Sequence, residues 1–305
     1  MTWVVRAVAA AAVLVVAWVC LTAWPAVVHG HPAYAVLLVL TVLVAVLVAA
    51  LSGRRREPSV WRTVGRGLLV LLSVAWIAGI AWLRPYVAQE PALAALQSDA
   101  AVTVDEYPTQ IVLTPTAGAG TTGLVFEPGA LVDPRAYAAV LRPVAAAGHL
   151  VVIVKQPLGI AFLSLGTFAR IRDAYPAVTS WVVGGHSLGG TVAAMEADAH
   201  DSDTIAPVRG LLFYASYPAG DISGTLTATV LSISASLDGL ATPDKVAASR
   251  ADLPPSAHFV VVDGAVHSSF GDYGEQKGDG TPTIPHDEAR TQISAATVSF
   301  VNRVG

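Results

Sequence analysis

Three long runs of apolar residues dominate the first part of the chain. They lie at about Ala7–Val28, Ala33–Leu51 and Val64–Leu83. Each is close to the roughly 20 residues that a helix needs to cross about 30 Å of hydrocarbon. Buried helices of a soluble protein would show a polar face at helical spacing, whereas residues 36–51 contain only Thr41 as a polar residue. The pattern predicts a three-helix transmembrane anchor over residues 1–84.

Positive charge between the second and third runs predicts the orientation of this anchor. The loop Ser52–Arg62 contains Arg54, Arg55 and Arg56, and Lys and Arg are enriched in cytoplasmic loops. Counting crossings then places the amino terminus in the cytoplasm and everything after Leu83 outside it. We therefore expect a multi-pass protein of the cell membrane with an extracytoplasmic second domain. Cleavage of the first run as a signal peptide would leave that placement unchanged, so this question stays open.

The remainder of the chain has a different pattern. Residues 85–106 mix proline, alanine and polar residues, which predicts a linker. Over residues 107–305, short apolar runs then alternate with helix-like stretches. The strand-like runs are Gln110–Leu113, Gly123–Phe126, Leu150–Val154, Ser180–Val183, Gly210–Tyr214, Thr229–Ile233 and His258–Val262. The helix-like stretches are Ala136–Ala147, Leu158–Tyr175, Leu188–His200, Pro243–Ala248 and His286–Val301. Such alternation predicts an α/β domain, a mainly parallel sheet with helices on both faces.

Composition and charge narrow the functional classes. The chain is 54% hydrophobic and 13% charged, which excludes a disordered protein. Residues 1–90 carry a net charge of +5 and the rest carry −9, which together give the overall −4. An acidic domain is a poor binder of phosphate backbones, so we expect no nucleic-acid partner. The only cysteine is Cys20 in the first apolar run, which excludes a disulfide or thiolate metal site in the second domain. No cofactor or metal is predicted.

A glycine-rich turn follows the predicted strand that begins at Ser180. It reads Gly185-His186-Ser187-Leu188-Gly189, in which the serine has a glycine two positions before and two after it. A serine on a sharp turn between strand and helix requires almost no side chain at those two positions. Such a turn would present the Ser187 hydroxyl as a nucleophile and the Leu188 N–H to a developing oxyanion.

A serine nucleophile requires a histidine base, which in turn requires a carboxylate that fixes its tautomer. In this kind of fold the acid and then the histidine follow the serine, each after a later strand. Asp238 and His267 occupy those positions. The competing acids are weaker candidates, because Asp244 is placed to cap a helix and Asp263 is placed to end a strand.

Four segments resemble a known family. They are Val125–Tyr137, Gly184–Gly190, Ser236–Thr242 and His267–Gly280, and they are similar to the α/β-hydrolase superfamily, in particular a small bacterial capless branch related to dienelactone hydrolases. The resemblance implies Ser187 as nucleophile, Asp238 as acid and His267 as base, with the Ala130 N–H as second oxyanion donor. Two departures limit the analogy, since dienelactone hydrolases use cysteine as nucleophile and residues 265–271 lack two amide side chains common in this branch.

The predicted function is a membrane-anchored serine hydrolase that cleaves a carboxylic ester or similar acyl bond through an acyl-enzyme. The short connection Tyr217–Thr225 leaves no room for a lid, which favours a small-molecule or lipid-like ester presented at the bilayer. An acyltransferase on the same triad and a non-catalytic membrane-anchored binding module stay open as alternatives. Pore formation is disfavoured because the runs hold no intramembrane ionisable path. The oligomeric state also stays open.

One loop allows a metal-binding interpretation as well as a structural one. Asp272, Glu275 and Asp279 lie in the glycine-rich segment 270–280, but their spacing does not match an EF-hand. The favoured interpretation is a loop ordered by side-chain hydrogen bonds.

Overall fold

The computed structural model describes residues 2–52 and 60–304. The chain divides into two compact units, Met1–Pro85 and Tyr86–Gly305.

The first unit consists of three helices. Helix α1 spans Thr2–His29, α2 spans Pro32–Leu51 and α3 spans Val60–Trp82. By length and apolar composition, the segments Trp3–His29, Pro32–Leu51 and Val64–Trp82 could each cross a membrane. Arg54, Arg55 and Arg56, on which the predicted orientation depends, lie outside the described residues.

Much of the apolar surface of these helices is not covered by protein. Leu43 on α2 and Leu71 on α3, for example, are 59% and 68% exposed. The indole Nε1 of Trp76 donates a hydrogen bond to the Thr41 hydroxyl at 3.1 Å, so a polar atom of α2 is paired within the unit. Apolar side chains around a helix together with internally paired polar groups are typical of helices surrounded by lipid.

The second unit is built on one sheet of eight strands. The strands are β1 (Val102–Glu106), β2 (Gln110–Pro115), β3 (Thr122–Glu127), β4 (Leu150–Val154), β5 (Ser180–His186), β6 (Val208–Tyr214), β7 (Thr229–Ala235) and β8 (His258–Val262). Their order is β1-β2-β4-β3-β5-β6-β7-β8. Strand β2 pairs antiparallel with β1 and β4, and the remaining pairs are parallel. The predicted mainly parallel sheet is therefore confirmed.

Helices cover both faces of this sheet. They are α4 (Ala138–Ala146), α5 (Thr167–Ala174), α6 (Leu188–His200), α7 (Pro243–Ala248) and α8 (His286–Val304). One core joins the strands to α4 and α8 through residues such as Leu141 and Phe300. A second core joins them to α5 and α6 through residues such as Phe168 and Ala193. Because β3 to β7 are buried on both faces, these strands are apolar almost throughout, whereas the edge strand β8 is partly exposed. The carboxyl ends of β3, β5, β7 and β8 meet at one edge of the sheet.

Two segments differ from the sequence-based expectation. Residues 86–106, expected to be a linker, belong to the second unit: β1 pairs with β2, and Ala88 and Ala92 are buried. The helix expected over Leu158–Tyr175 is reduced to α5, preceded by two short 3₁₀ turns. Gly159 and Gly166 adopt φ of +67° and +77°, left-handed conformations that interrupt an α-helix.

Candidate active site

Ser187 lies on the sharp turn between β5 and α6. Its φ of 51° and ψ of −124° place a non-glycine residue in a strained region of backbone space. The Ser187 carbonyl accepts hydrogen bonds from the Gly190 N–H at 3.0 Å and from the Ser216 hydroxyl at 2.6 Å. These contacts hold the turn, which leaves the Ser187 side chain half-buried at the edge of the sheet.

The two glycines that flank Ser187 are required by close backbone contact. A Cβ atom on Gly185 would lie 2.4 Å from the Gly189 carbonyl carbon, and one on Gly189 would lie 2.1 Å from the Glu127 carbonyl oxygen. Neither distance is compatible with a side chain. The glycine spacing seen in the sequence thus has a steric cause, since the turn packs against itself and against the end of β3.

Asp238 and His267 are brought together after β7 and β8. His267 Nδ1 lies 2.8 Å from Asp238 Oδ2, and both side chains are almost completely buried. The other carboxylate oxygen, Oδ1, accepts the N–H groups of Leu240 at 2.7 Å and Ala241 at 2.8 Å. The carboxylate is therefore fixed, and its geometry selects the tautomer in which His267 carries a proton on Nδ1 and leaves Nε2 free to accept one.

Asp279 holds the histidine loop in place. Its carboxylate accepts the backbone N–H of His267 at 3.0 Å and both the N–H and hydroxyl of Ser268 at 2.8 and 2.9 Å. It also accepts the Gly239 N–H at 3.3 Å, next to the acid. Burial alone would raise the pKa of Asp279, but these hydrogen bonds outweigh burial and lower it. The carboxylate is thus ionised at neutral pH and links the loop after Asp238 to the loop of His267.

Ser187 and His267 do not form a hydrogen bond. Among the described residues, the Nε2 atom of His267 has no hydrogen-bond partner, although it is buried. The ring of His186, the residue before Ser187, lies with its centroid 4.5 Å from that of His267. The structure therefore brings Asp238 and His267 into contact, and Ser187 directly follows the residue whose ring packs on His267. In active sites, hydrogen bonds between a serine and a histidine often tighten only when substrate is bound.

The two N–H groups predicted as oxyanion donors form no hydrogen bond within the described residues. Within the part of the chain that the structure describes, the N–H groups of Leu188 and Ala130 donate to no protein acceptor. Leu188 begins α6, where the first amides have no partner inside the helix. Ala130 follows Gly129 in the turn after β3, and the carbonyls of Glu127 and Pro128 in that turn press against Gly189. Both N–H groups are thus free to bind a negatively charged oxygen.

A buried carboxyl group supports the turn that carries Ala130. Glu127 Oε2 accepts Gln156 Nε2 at 2.8 Å and the Ser164 hydroxyl at 3.0 Å. The same Gln156 nitrogen donates to the Pro128 carbonyl at 2.9 Å. Burial raises the pKa of Glu127 to about 8, against the lowering effect of the two hydrogen bonds. Glu127 is therefore largely protonated at neutral pH in the folded protein.

This raised pKa predicts a pH-dependent effect of Glu127→Gln. The carboxyl group has its ordinary pKa of 4.5 in the unfolded chain and a pKa of about 8 in the folded protein. Between these two pH values the unfolded chain has released a proton that the folded protein retains. The free energy of unfolding of the wild type therefore falls as pH rises through this window. The amide that replaces the carboxyl group is neutral throughout. We expect the variant's advantage in the free energy of unfolding to grow by a few kcal/mol between about pH 5 and 8 and then level off.

Urea unfolding of the detergent-solubilised protein, measured at each pH unit, checks this expectation. Glu275→Gln, which removes an exposed carboxyl from the same unit, is the matched control and should show no such slope. A constant difference between wild type and Glu127→Gln from pH 5 to 9 would contradict a neutral buried Glu127.

Two carboxylates of the glycine-rich loop, Asp272 and Asp279, are paired with groups of the protein. Among residues 2–52 and 60–304, no group of three or more His, Cys, Asp or Glu side chains is arranged to hold a metal ion. Asp279 is occupied by the hydrogen bonds described above, and Asp272 Oδ1 is paired with Arg290 at 2.7 Å and His286 at 3.0 Å. The loop is ordered by its own side-chain hydrogen bonds.

The competing acids lie outside the candidate site. Asp244 lies in the first turn of α7, and Asp263 accepts a hydrogen bond from the Ser236 hydroxyl at 2.8 Å. The sequence reasoning missed the supporting roles of Glu127 and Gln156. A charged residue at the end of an otherwise apolar strand, directly before Pro128-Gly129, was the one available signal for Glu127.

Comparison with known proteins identifies the fold. The family model described as "Alpha/beta hydrolase family" matches residues 123–291, which is more than half of the chain. The match includes Ser187, Asp238 and His267 and agrees with the predicted fold class. No curated protein matches the chain.

Several solved structures are similar to this chain. The esterase domain of a Rhodothermus marinus protein is 15% identical, with 64% of this chain and 93% of that chain covered and a TM-score of 0.48. A putative dienelactone hydrolase from Klebsiella pneumoniae is 15% identical, with coverage of 63% and 92% and a TM-score of 0.49. A thermophilic esterase from Thermogutta terrifontis is 13% identical, with coverage of 68% and 94% and a TM-score of 0.50. The last likeness shows a shared fold.

Proposed function

Because the chain belongs to the alpha/beta hydrolase family, we propose that it is a serine hydrolase that cleaves carboxylic esters. Ser187 is the nucleophile, His267 the general base and Asp238 the acid that orients it. The observation that carries this proposal is the buried 2.8 Å hydrogen bond between His267 and Asp238, next to a strained serine turn. A histidine held this way, with an unpartnered Nε2, is suited to accept a proton.

The first half of the reaction forms an acyl-enzyme. Ser187 Oγ attacks the ester carbonyl carbon while His267 Nε2 takes the hydroxyl proton. The carbonyl oxygen becomes an oxyanion, which the N–H groups of Leu188 and Ala130 bind. The carbon–oxygen bond to the alcohol then breaks, and the leaving alkoxide takes the proton from His267.

The second half of the reaction releases the acid and restores the enzyme. Water attacks the acyl-enzyme carbonyl and gives a proton to His267 Nε2. The bond to Ser187 Oγ breaks, and the serine recovers its proton from His267. Asp238 stabilises the imidazolium in both halves and is not itself protonated.

Two further features support a membrane-associated, lipid-like substrate. The first is the set of three helices that are long and apolar enough to cross a membrane, which we propose to anchor the catalytic unit outside the cytoplasm. Phe162, Leu163 and Leu165 are 43%, 53% and 44% exposed, and they lie in the segment whose Gly159 carbonyl accepts the N–H of Leu131, next to Ala130. Exposed apolar side chains beside the oxyanion turn favour esters with hydrocarbon chains.

A series of p-nitrophenyl esters tests both the activity and this preference. Each buried methylene contributes about 0.8 kcal/mol, so we expect kcat/KM for the octanoate to exceed that for the butyrate by at least about tenfold. Phe162→Ser should reduce this ratio. Ile205→Ser is the matched control, because Ile205 is 79% exposed and lies after α6. Equal turnover of both esters would contradict the lipid-like substrate, and turnover of neither would contradict the proposed activity.

A further inference from the structure

The hydroxyl group of Tyr137 contacts two groups in the candidate site. It accepts the N–H of Gly129 at 2.9 Å and lies 2.8 Å from His186 Nδ1. Tyr137 and His186 are both completely buried. Gly129 directly precedes the oxyanion donor Ala130, and His186 directly precedes the nucleophile Ser187. One hydroxyl therefore bridges the turn after β3 and the turn after β5.

The protons in this bridge can be assigned by counting donors and acceptors. The Gly129 N–H can only donate, so the Tyr137 oxygen accepts from it. The one hydrogen of the Tyr137 hydroxyl then has His186 Nδ1 as its acceptor, which requires that Nδ1 carry no proton. With the proton on Nδ1, both the Tyr137 hydroxyl hydrogen and the buried Nε2 lone pair would lack a partner. With the proton on Nε2, only that N–H lacks a partner among the described residues, so the second arrangement is favoured. His186 is then a neutral imidazole with its proton on Nε2.

The environment of His186 agrees with the neutral form. Burial, and after it the neighbouring His267, lower the pKa of His186 well below its usual value. The His186 ring is stacked on Phe270 at 5.8 Å and lies 4.5 Å from the His267 ring, measured between centroids. A second positive charge this close to His267 would disfavour the imidazolium that the reaction forms. A neutral ring avoids that repulsion and still accepts the Tyr137 proton.

The oxyanion turn is also in close contact with this pair. A Cβ atom on Gly129 would lie 2.6 Å from His186 Nδ1 and 3.1 Å from the Tyr137 hydroxyl. The backbone at Gly129 is therefore in close contact with the side chains of His186 and Tyr137. Since the Ala130 N–H is the next donor along the chain, a shift at Gly129 changes where that donor points.

We propose that Tyr137 and His186 are positioning residues that fix the Ala130 N–H for oxyanion binding. The hydrogen-bonded chain His186–Tyr137–Gly129 sets the oxyanion turn at a fixed distance from the Ser187 turn. This inference rests on the proposed function, because it assigns the pair a role in stabilising the same tetrahedral intermediate. The pair touches no reacting atom and acts through Gly129 and Ala130.

Tyr137→Phe tests the proposal with a closely matched control. We expect kcat for p-nitrophenyl butyrate to fall about 10- to 100-fold with KM changed less than about twofold, since a misplaced oxyanion donor affects mainly the transition state. Tyr214→Phe is the control, because Tyr214 is also completely buried and also packs on Phe126. The ring centroids lie 5.1 Å apart for Tyr214 and Phe126, and 5.0 Å apart for Tyr137 and Phe126. The Tyr214 hydroxyl, however, forms its hydrogen bond with Thr297 and not with His186 or Gly129. The kcat of Tyr214→Phe should stay within about twofold of wild type.

Binding of an alkylboronic acid separates this role from a general structural one. The boronic acid forms a tetrahedral adduct with the serine and places an oxygen in the oxyanion site. Its affinity should fall in Tyr137→Phe by the same factor as kcat, as expected for a transition-state analogue. Unchanged kcat, or reduced kcat with unchanged boronic acid affinity, would overturn the proposal.

A second pair of variants keeps the test decisive if Tyr137→Phe folds poorly. The Oδ1 atom of asparagine can replace Nδ1 as the acceptor for Tyr137, whereas leucine cannot, so His186→Asn should retain several-fold more activity than His186→Leu. Equal activity of these two variants would overturn the positioning role. A wild-type protein that neither hydrolyses esters nor binds the boronic acid would instead show failure of the proposed function itself.

Discussion

Ser187→Ala is expected to reduce kcat for ester hydrolysis by about 10⁴- to 10⁶-fold, because no other group can form the acyl-enzyme. Alanine adopts the same φ of 51° at the same cost as serine. The fold should therefore survive, and the loss should appear in kcat without a parallel loss in the urea unfolding midpoint. Turnover is best measured with p-nitrophenyl octanoate in detergent.

Ser187→Gly provides a control for stability. Glycine relieves the strain of the left-handed turn, so this variant should be inactive and more stable than Ser187→Ala by about 1 kcal/mol. Activity above about a tenth of wild type in either variant would show that Ser187 is not the nucleophile.

Asp238→Asn is expected to cost about 10³- to 10⁴-fold in kcat. Oδ1 of Asp238 accepts two backbone N–H groups, so the asparagine oxygen must occupy that position. Its amide nitrogen then faces His267 Nδ1 and donates to it. This reverses the tautomer, places the proton on Nε2 and prevents His267 from acting as a base.

The control for this substitution is Asp263→Asn. Asp263 also follows a strand at this edge of the sheet, but its carboxylate accepts a hydrogen bond from Ser236 and does not contact His267. Its kcat should stay within about twofold of wild type. If Asp263→Asn lost activity and Asp238→Asn kept it, the acid would have been assigned to the wrong residue.

The parallel strands and the serine turn were predictable because strong local constraints determine them. Strands buried on both faces are continuous apolar runs, and β4 was predicted with the bounds that the structure shows. The edge strand β8 is largely exposed, and its bounds were predicted from its β-branched and aromatic residues. Only glycine fits at positions 185 and 189, because an added Cβ atom would lie within 2.5 Å of backbone atoms. Such constraints act within a few residues and therefore leave a clear pattern in the sequence.

Strand β1 was not predictable in the same way. Its burial falls from Val102, which is buried, to Glu106, which is exposed, as expected at the edge of a sheet. A half-exposed strand has a mixed composition, and the sequence Val-Thr-Val-Asp-Glu resembles a polar linker. Its pairing with β2 depends on a tertiary contact rather than on its own apolar content.

Hydrogen bonds between residues far apart in the chain could not be predicted from the sequence either. Tyr137 and His186 are 49 positions apart, and Glu127 and Gln156 are 29 apart. The sequence shows each of these residues, but only the fold shows that they meet. Asp238 and His267 could be selected as candidates because the order of residues after successive strands, and the family resemblance, specified where to look.

Labelling of intact cells with a membrane-impermeant fluorophosphonate, followed by peptide mass spectrometry, tests the central claim most directly. We predict one adduct on the peptide that contains Ser187, formed without lysis and missing from Ser187→Ala. An adduct on a different residue, or none in lysed cells, would contradict a serine hydrolase centred on Ser187. An adduct on Ser187 that forms only after lysis would preserve the nucleophile and contradict the extracytoplasmic orientation.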